Sequence, residues 1–376
     1  MPESSAEHDE SSPPASNEVE VSVFGVGVGE CVVVHLGEGE WVIVDSCVEP
    51  GNKRPIALRY LESIGVEVAS AVKLIVVTHW HDDHMRGASE LVAAAPGAKI
   101  VCSAALRREE FFSSLAASKD PFVRPSGIDE MSAIFERLRQ QASGQTRPQS
   151  VGPTWAMENM CLYRVTHRTH QAEITALSPS SGTFSLALHE LSSLIAQAGQ
   201  PKRRAVALSA NRVAVVLWIE IGHLRILLGS DLETENDPNI GWSAVVTSTT
   251  RPTGQAQILK VPHHGSSTAE HPGIWENLVE PDPFAVVTSF TCGTKLPTES
   301  DLERLGTRTS RLYWTGKSEA QTPRARPSAV EKTLREVAKS RRLAEGRLGH
   351  VRLRVHSAND MPQIDVAPHS AKYRVG

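Results

Sequence analysis

The chain has 376 residues, 40% of them hydrophobic and 22% charged, with a formal net charge of -4. This suits one elaborated domain or two smaller ones, at a charge content ordinary for a soluble protein. No run of about 18 apolar residues occurs, so no membrane span is predicted, and the acidic N-terminus lacks the apolar stretch of a secretory signal.

In chain order, residues 1–17 read as a disordered acidic tail. VEVSVFGVG, ECVVVHLG and EWVIVDSC follow as three strands of an antiparallel start. Gly25, Gly27 and Gly29 lie between the first two. Their spacing is not that of a nucleotide loop and no helix pattern follows, so a tight turn is the better reading. RPIALRYLESIG is a helix closing on Gly65, KLIVVTH a short buried strand, MRGASELVAAAPGA a helix and AKIVCS a strand. Residues 104–171 carry the helical patterns ALRREEFFSSLAAS and IDEMSAIFERLRQQAS and read as an insertion or lid. EITALSP is a strand and FSLALHELSSLIAQAG a helix. NRVAVVLWIEIG and HLRILLGSD form a hairpin at Gly222-His223. AQILKVPHHGS and PFAVVTSF are strands, ESDLERLG a helix and RLYWTG a strand. Residues 318–376 form a basic region, with SAVEKTLREVAKSRRLAEG as a helix and HVRLRVHS as a strand. Strands and helices alternate in both halves, which predicts a layered α/β protein.

The charge is uneven. Residues 301–376 hold 16 Lys and Arg against 8 Asp and Glu, and residues 1–300 hold 23 against 35. A basic region on an acidic body suits a polyanionic partner, and a solvated basic helix is the plain alternative. Cys31, Cys47, Cys102, Cys161 and Cys292 are scattered, with no CxxC pair. They read as reduced core thiols, which implies a cytoplasmic protein.

The chemistry concentrates in THWHDDHMRG, residues 78–87. His79, His81 and His84 lie with Asp82 and Asp83 directly after an apolar strand. Imidazole and carboxylate are the usual donors for zinc and similar ions. In an extended segment His79 and His81 project the same way, while Asp83 and His84 belong to the following turn. One loop can therefore supply halves of two adjacent metal sites, an arrangement suited to hydrolysis. An isolated histidine would be read as an ordinary surface or core residue, but a cluster at this spacing would not.

HWHDDH resembles the HxHxDH signature of the metallo-β-lactamase fold hydrolases. FGVGVGECVVVHLGEGEWVIVDSC is similar to that family's opening strands, ILLGSD to the strand bearing its bridging aspartate, and LKVPHHGSS to its later histidine motif. The GVGVGE start, the segment from Asn211 to Val216-Leu217 before the GSD, and the HHGS are most similar to the soluble hydrolase domain of the DNA-uptake competence protein ComEC. The resemblance covers roughly residues 20–315 apart from the middle segment. It implies a four-layer αββα sandwich with a helical insertion in the middle.

The resemblance also implies roles. His79 and His81 would hold metal one, and Asp83, His84 and one of His263 and His264 metal two, with His264 favoured and His263 near a substrate oxygen. Asp231 would bridge both ions, and Asp45 would orient a ligand histidine. Twenty residues before Asp231, where many members have another histidine, this chain has Asn211. Asn replaces imidazole poorly. Metal one is then expected to be weakly held, completed by water or substrate, or selective for manganese. His167, His170 and His189 could complete it, although each reads first as an ordinary surface histidine.

The expectation is two divalent ions, Zn²⁺ or else Mn²⁺, with a metal-bridged hydroxide as nucleophile. Asp83 or a neighbouring histidine would relay protons, Asp231 would take part in catalysis, and His263 and Lys295 would hold an anionic substrate. Three readings follow. The first is a phosphodiesterase or nuclease acting on nucleic acid, with a role in bacterial antiviral defence and protein partners conceivable. The second is a hydrolase of a small ester, thioester or lactone. The third is a weakly catalytic metal-binding regulatory module.

Overall fold

The computed structural model describes residues 12–25, 27, 29–48, 53–106, 126–143, 152–196, 210–291, 295–316, 349–356, 363–367 and 370–373. The helix expected over SAVEKTLREVAKSRRLAEG, most of ALRREEFFSSLAAS, and Cys292 lie outside these residues.

Two sheets carry the fold. The first has eight strands: β1 (Glu18–Gly25), β2 (Glu30–His35), β3 (Trp41–Val44), β4 (Val72–Val77), β5 (Lys99–Ser103), β6 (Thr154–Ala156), β14 (His350–His356) and β15 (Gln363–Val366), in the order β15-β14-β1-β2-β3-β4-β5-β6. The second has seven: β7 (Met160–Thr166), β8 (Gln171–Ala176), β9 (Leu217–Ile221), β10 (Leu224–Leu228), β11 (Ala256–Lys260), β12 (Val279–Val287) and β13 (Leu312–Trp314), in the order β13-β12-β11-β10-β9-β8-β7.

The helices are α1 (Ile56–Ser63), α2 (Val68–Ala71), α3 (Asp82–Met85), α4 (Ala88–Ala94), α5 (Ser126–Ser143), α6 (Ser181–Ala196), α7 (Gly241–Thr247) and α8 (Glu299–Gly306). Alternation along the strands places them. In β4, Leu74 and Val76 join the core between the sheets, with Ile219 and Ile226 of the second sheet. Ile75 and Val77 face the other way, onto Leu58 and Leu61 of α1, Leu91 of α4 and Met131 of α5. Leu227 and Leu259 of the second sheet likewise face outward, onto Trp242 of α7 and Leu302 of α8. The order is helix, sheet, sheet, helix, so the expected αββα sandwich is present. A strand buried on both faces reads as an apolar run, which is why VKLIVV, Lys73 apart, is apolar on both sides.

The segment expected as a lid, residues 104–171, is built into these layers where it is described. α5 packs beside α4, β6 extends the first sheet from β5, and β7 pairs with β8 at the edge of the second. The expected tail also ends early. Ser12 O accepts a 2.7 Å hydrogen bond from Arg354, and Ser16 O one of the same length from Glu38 N.

Strands β3, β4 and β5 are parallel, as are β10, β11, β12 and β13. Their carboxyl ends, with the β1–β2 turn, bring the chemically active loops together. In open α/β sheets the carboxyl ends of the strands are where ligands bind.

Candidate metal centre

Each site residue follows a parallel strand. Asp45 follows β3, Thr78 and His79 follow β4, Asp231 follows β10, His264 follows β11 and Thr288 follows β12. Four of the loop residues adopt left-handed backbone: Asp45 (φ 61°), Ser230 (φ 46°), His263 (φ 44°) and His264 (φ 52°). Non-glycine residues rarely do so, at about 1–3 kcal/mol each, and such strain gathers where side chains must be aimed. Asp45 is held there by its N–H to Val76 O, and His263 by its N–H to Ser230 O, both at 2.8 Å.

One oxygen stands at the centre. Asp231 Oδ2 lies 3.3 Å from His84 Nε2, 3.5 Å from His264 Nε2 and 4.0 Å from His79 Nε2. Asp83 Oδ2 lies 3.5 Å from His84 Nε2 and 3.3 Å from His264 Nε2. The donor atoms of His79, His81 and Asp231 form a second group within 4.8 Å of one another. His79, His84 and Asp231 are buried, while His81 is partly exposed and opens the site to solvent.

Glu30 also approaches His84 and His264, but from behind. Its oxygens are 3.9 and 3.6 Å from their Nδ1 atoms, and both are already engaged, by Lys260 Nζ at 2.5 Å and Thr288 Oγ1 at 2.6 Å. The nitrogens free for a cation are on the Nε2 side.

The donor set passes a test for a cation. His79 Nε2, His84 Nε2 and Asp231 Oδ1 are buried without hydrogen-bond partners. An unsatisfied buried polar atom costs about 1–3 kcal/mol, so two imidazole nitrogens that both face Asp231 Oδ2 need a ligand to justify them. Imidazole nitrogens and carboxylate oxygens suit a divalent transition ion.

Hydrogen bonds fix the rings. Asp45 Oδ2 accepts from His84 Nδ1–H at 2.7 Å. It also accepts from Thr78 Oγ1–H at 2.7 Å, while Asp45 Oδ1 takes Thr78 N–H at 2.8 Å. Because its hydroxyl proton goes to Asp45, Thr78 Oγ1 accepts from His79 Nδ1–H at 3.0 Å. Both histidines thus turn Nε2 toward Asp231.

The charges are strongly coupled. Burial alone would lower the pKa of His84, but Asp231, Asp83 and Asp45 outweigh it and raise the pKa well above the usual value. Burial and then the His84 charge hold His79 well below it, and burial lowers His81 too. Burial works to raise Asp83 and Asp231, yet both lie well below the carboxylate range, because His84 and His264 face them and Lys260 also faces Asp231. For Asp45 burial prevails and the pKa rises despite His84.

A model of the metallo-beta-lactamase superfamily matches residues 24–134. The match takes in Asp45 and the cluster from His79 to His84, whereas Asp231, His263 and His264 lie beyond it. Solved structures similar to the chain include a metallo-beta-lactamase fold protein, YhfI, from Bacillus subtilis, at 11% identity and TM-score 0.38, covering 79% of this chain and 95% of that one. Another is the metallo-beta-lactamase SMB-1, at 14% identity and TM-score 0.34, covering 68% and 82%. A third is the short form of human tRNase Z, at 12% and 0.36, covering 78% and 91%. No curated relative matches the chain in sequence.

Other expected residues sit apart. His263 does not join the group around Asp231 Oδ2. Its Nε2 lies 3.2 Å from Asn211 Nδ2, and its Nδ1 lies 3.0 Å from Thr268 Oγ1 and 3.3 Å from Glu233 Oε1. Asn211 Oδ1 is buried and unpartnered. His167 and His170 are not surface residues. They are buried 3.2 Å from each other, against Glu40 and Leu36 O, where Leu36 follows β2 and Glu40 precedes β3. The partners of their rings do not include His79, His81 or Asp231. His189 is exposed on α6, and Cys161 is exposed rather than a core thiol.

Reading by motif passed over Glu30, Lys260, Thr78 and Thr288. A signal was available for the two charges, since Glu30 opens and Lys260 closes a mostly apolar strand, and a charge buried in a strand must be paired.

Proposed function

We propose that the protein is a binuclear metal-dependent hydrolase acting on phosphodiesters, with nucleic acid as its substrate class. The observation that carries the hydrolase reading is Asp231 Oδ2, set within 4.0 Å of His79, His84 and His264 at once. An acceptor shared between two donor groups fits a bridge between two ions. His79 and His81 would hold one, with Asp83, His84 and His264 holding the other, Zn²⁺ being the first candidate and Mn²⁺ the second.

When bound, such ions supply a nucleophile by lowering the pKa of a water and neutralise charge developing on an attacked phosphoryl oxygen. The chain's own groups do the rest. Asp83, its pKa held low by His84 and His264, stays ionised and so offers its oxygens as acceptors for a cation. At the rim His263, only partly buried, and Asn211 face each other at 3.2 Å and would hold a substrate oxygen. Lys295 is exposed one residue before Leu296, whose backbone pairs with Phe290, the ring stacked on His264. It would attract a phosphate.

The choice of phosphodiester over small ester is supported by the basic composition of residues 301–376 and by the ComEC resemblance. Basic residues contact a phosphate backbone without reading its sequence, so binding should weaken steeply with salt. The test is cleavage of single- and double-stranded DNA with added Zn²⁺, Mn²⁺ or Mg²⁺, beside His79→Ala and Asp231→Ala. Cleavage lost in both variants supports the proposal. Metal uptake without cleavage of either DNA contradicts the substrate and turns the search to small esters and protein partners.

A further inference from the structure

Glu30 and Lys260 form a buried ion pair directly behind the candidate metal centre, with relative exposures of 2% and 1%. Nothing in the roles assigned above uses them. Burying two charges is costly, and such a pair persists where it fixes a particular arrangement.

The direction of the hydrogen bonds shows what is fixed. Lys260 Nζ reaches Glu30 Oε1 at 2.5 Å, donates to Ser230 O at 3.3 Å, and lies 4.0 Å from Asp231 Oδ1. The other Glu30 oxygen, Oε2, accepts the Thr288 hydroxyl proton at 2.6 Å. A hydroxyl has one proton. With that proton committed to Glu30, Thr288 Oγ1 can only accept from His264 Nδ1, 3.0 Å away. His264 must then carry a proton on Nδ1 and turn Nε2 toward Asp83 and Asp231, where a cation would take the place of any proton. Phe290, stacked on the ring at 5.2 Å between centroids, keeps it from turning.

The same device occurs once more. Asp45, Thr78 and His79 form a carboxylate–hydroxyl–imidazole chain at the end of β4, and Glu30, Thr288 and His264 form one at the end of β12. We infer that Glu30, held in place by Lys260, is a positioning residue that acts through Thr288 to set the tautomer and orientation of His264 for metal binding. The metal half of this statement rests on the proposed function; the tautomer half does not.

The experiment separates the two. The full-length chain is labelled with ¹⁵N-histidine and stripped of metal, and long-range ¹H–¹⁵N correlations read which nitrogen of each ring bears the proton. The His264 signal is assigned by its loss in His264→Gln. The same preparations are titrated with Zn²⁺ against a chromophoric chelator. In the wild type His264 Nδ1 should carry a proton. Thr288→Val, nearly isosteric, should lose that fixed Nδ1–H and weaken the second Zn²⁺ by about tenfold or more, while Thr288→Ser should restore both. A wild-type ring protonated on Nε2 alone overturns the inference without any variant. So does a Thr288→Val protein with unchanged tautomer and unchanged Zn²⁺ affinity. The expected tautomer with no Zn²⁺ uptake would uphold the relay and refute the metal reading instead.

Discussion

His84 Nδ1 lies 2.7 Å from Asp45 Oδ2, although 39 residues separate them in the chain. The contact ties the end of β3 to the turn after β4, and Ser46 N–H reinforces it by donating to His84 O at 2.9 Å. Asp45 accepts from three donors in all, counting Thr78 N–H and Oγ1–H.

Asp45→Asn keeps the shape but sets an amide N–H₂ against at least one of these donors. The variant should fold, yet bind metal about 10–100-fold more weakly, as loss of an outer partner of a ligand histidine does elsewhere. Competition with a chelator measures this, and unchanged affinity would remove Asp45 from the ligand scaffold.

Gly29 has φ of 126°, and a Cβ there would come within 2.7 Å of both Asp83 O and Cys47 Cβ. Gly29→Ala should therefore cost stability, by roughly 2 kcal/mol or more, and should displace Asp83 with it. Urea unfolding gives the first effect. Metal uptake by the folded fraction gives the second. A variant as stable as wild type would mean the turn relaxes freely.

The raised pKa of His84 sets the pH dependence of metal binding. In the metal-free protein the ring keeps an extra proton at neutral pH, and a cation competes with it for Nε2. Uptake should release about one proton, with affinity falling by about tenfold per unit as pH drops. Calorimetric titration in buffers of different ionisation enthalpy reads the released proton directly. Heats independent of buffer would contradict the charge state assigned to His84.

His35, away from the centre, predicts the pH dependence of folding. Burial, offset only in part by the hydrogen bond to Glu18 O, lowers its pKa to about 4. Gly39 N–H donates to its Nε2 at 3.0 Å, so the neutral Nδ1–H form fills the site. A folded-state pKa below the unfolded value means that the unfolded chain takes up the proton first. The stabilisation is complete above about pH 6.5 and is lost as pH falls to about 4, amounting to roughly 3 kcal/mol. Denaturation midpoints at pH 7.5 and 4.5 should therefore differ more in wild type than in His35→Gln. Parallel behaviour would rule His35 out as the source.

Much of this was legible in the sequence, for physical reasons. VKLIVV announces a strand buried on both faces, and a loop crowded with His and Asp right after it has few uses besides ligation. The hairpin at Gly222 follows from two apolar runs meeting at a glycine. Other features were hidden. β7 is an edge strand of mixed burial, so MCLYRVT shows little alternation, and its pairing with β8 is a tertiary fact. Which of His263 and His264 meets Asp231 depends on two successive left-handed residues, which no spacing rule foretells. The Glu30–Lys260 pair spans 230 residues and two sheets. Each charge is visible in its strand, but the partnership appears only once the strands are packed.

The most direct test is the metal content of the purified chain after dialysis against Zn²⁺, measured by elemental analysis in wild type and in Asp231→Asn. With Asp231 bridging, wild type should hold about two ions and the variant one or none, with both proteins equally folded by circular dichroism. Two ions in both would show that Asp231 bridges nothing, and no ion in wild type would show that the converging histidines and aspartates serve something other than a metal.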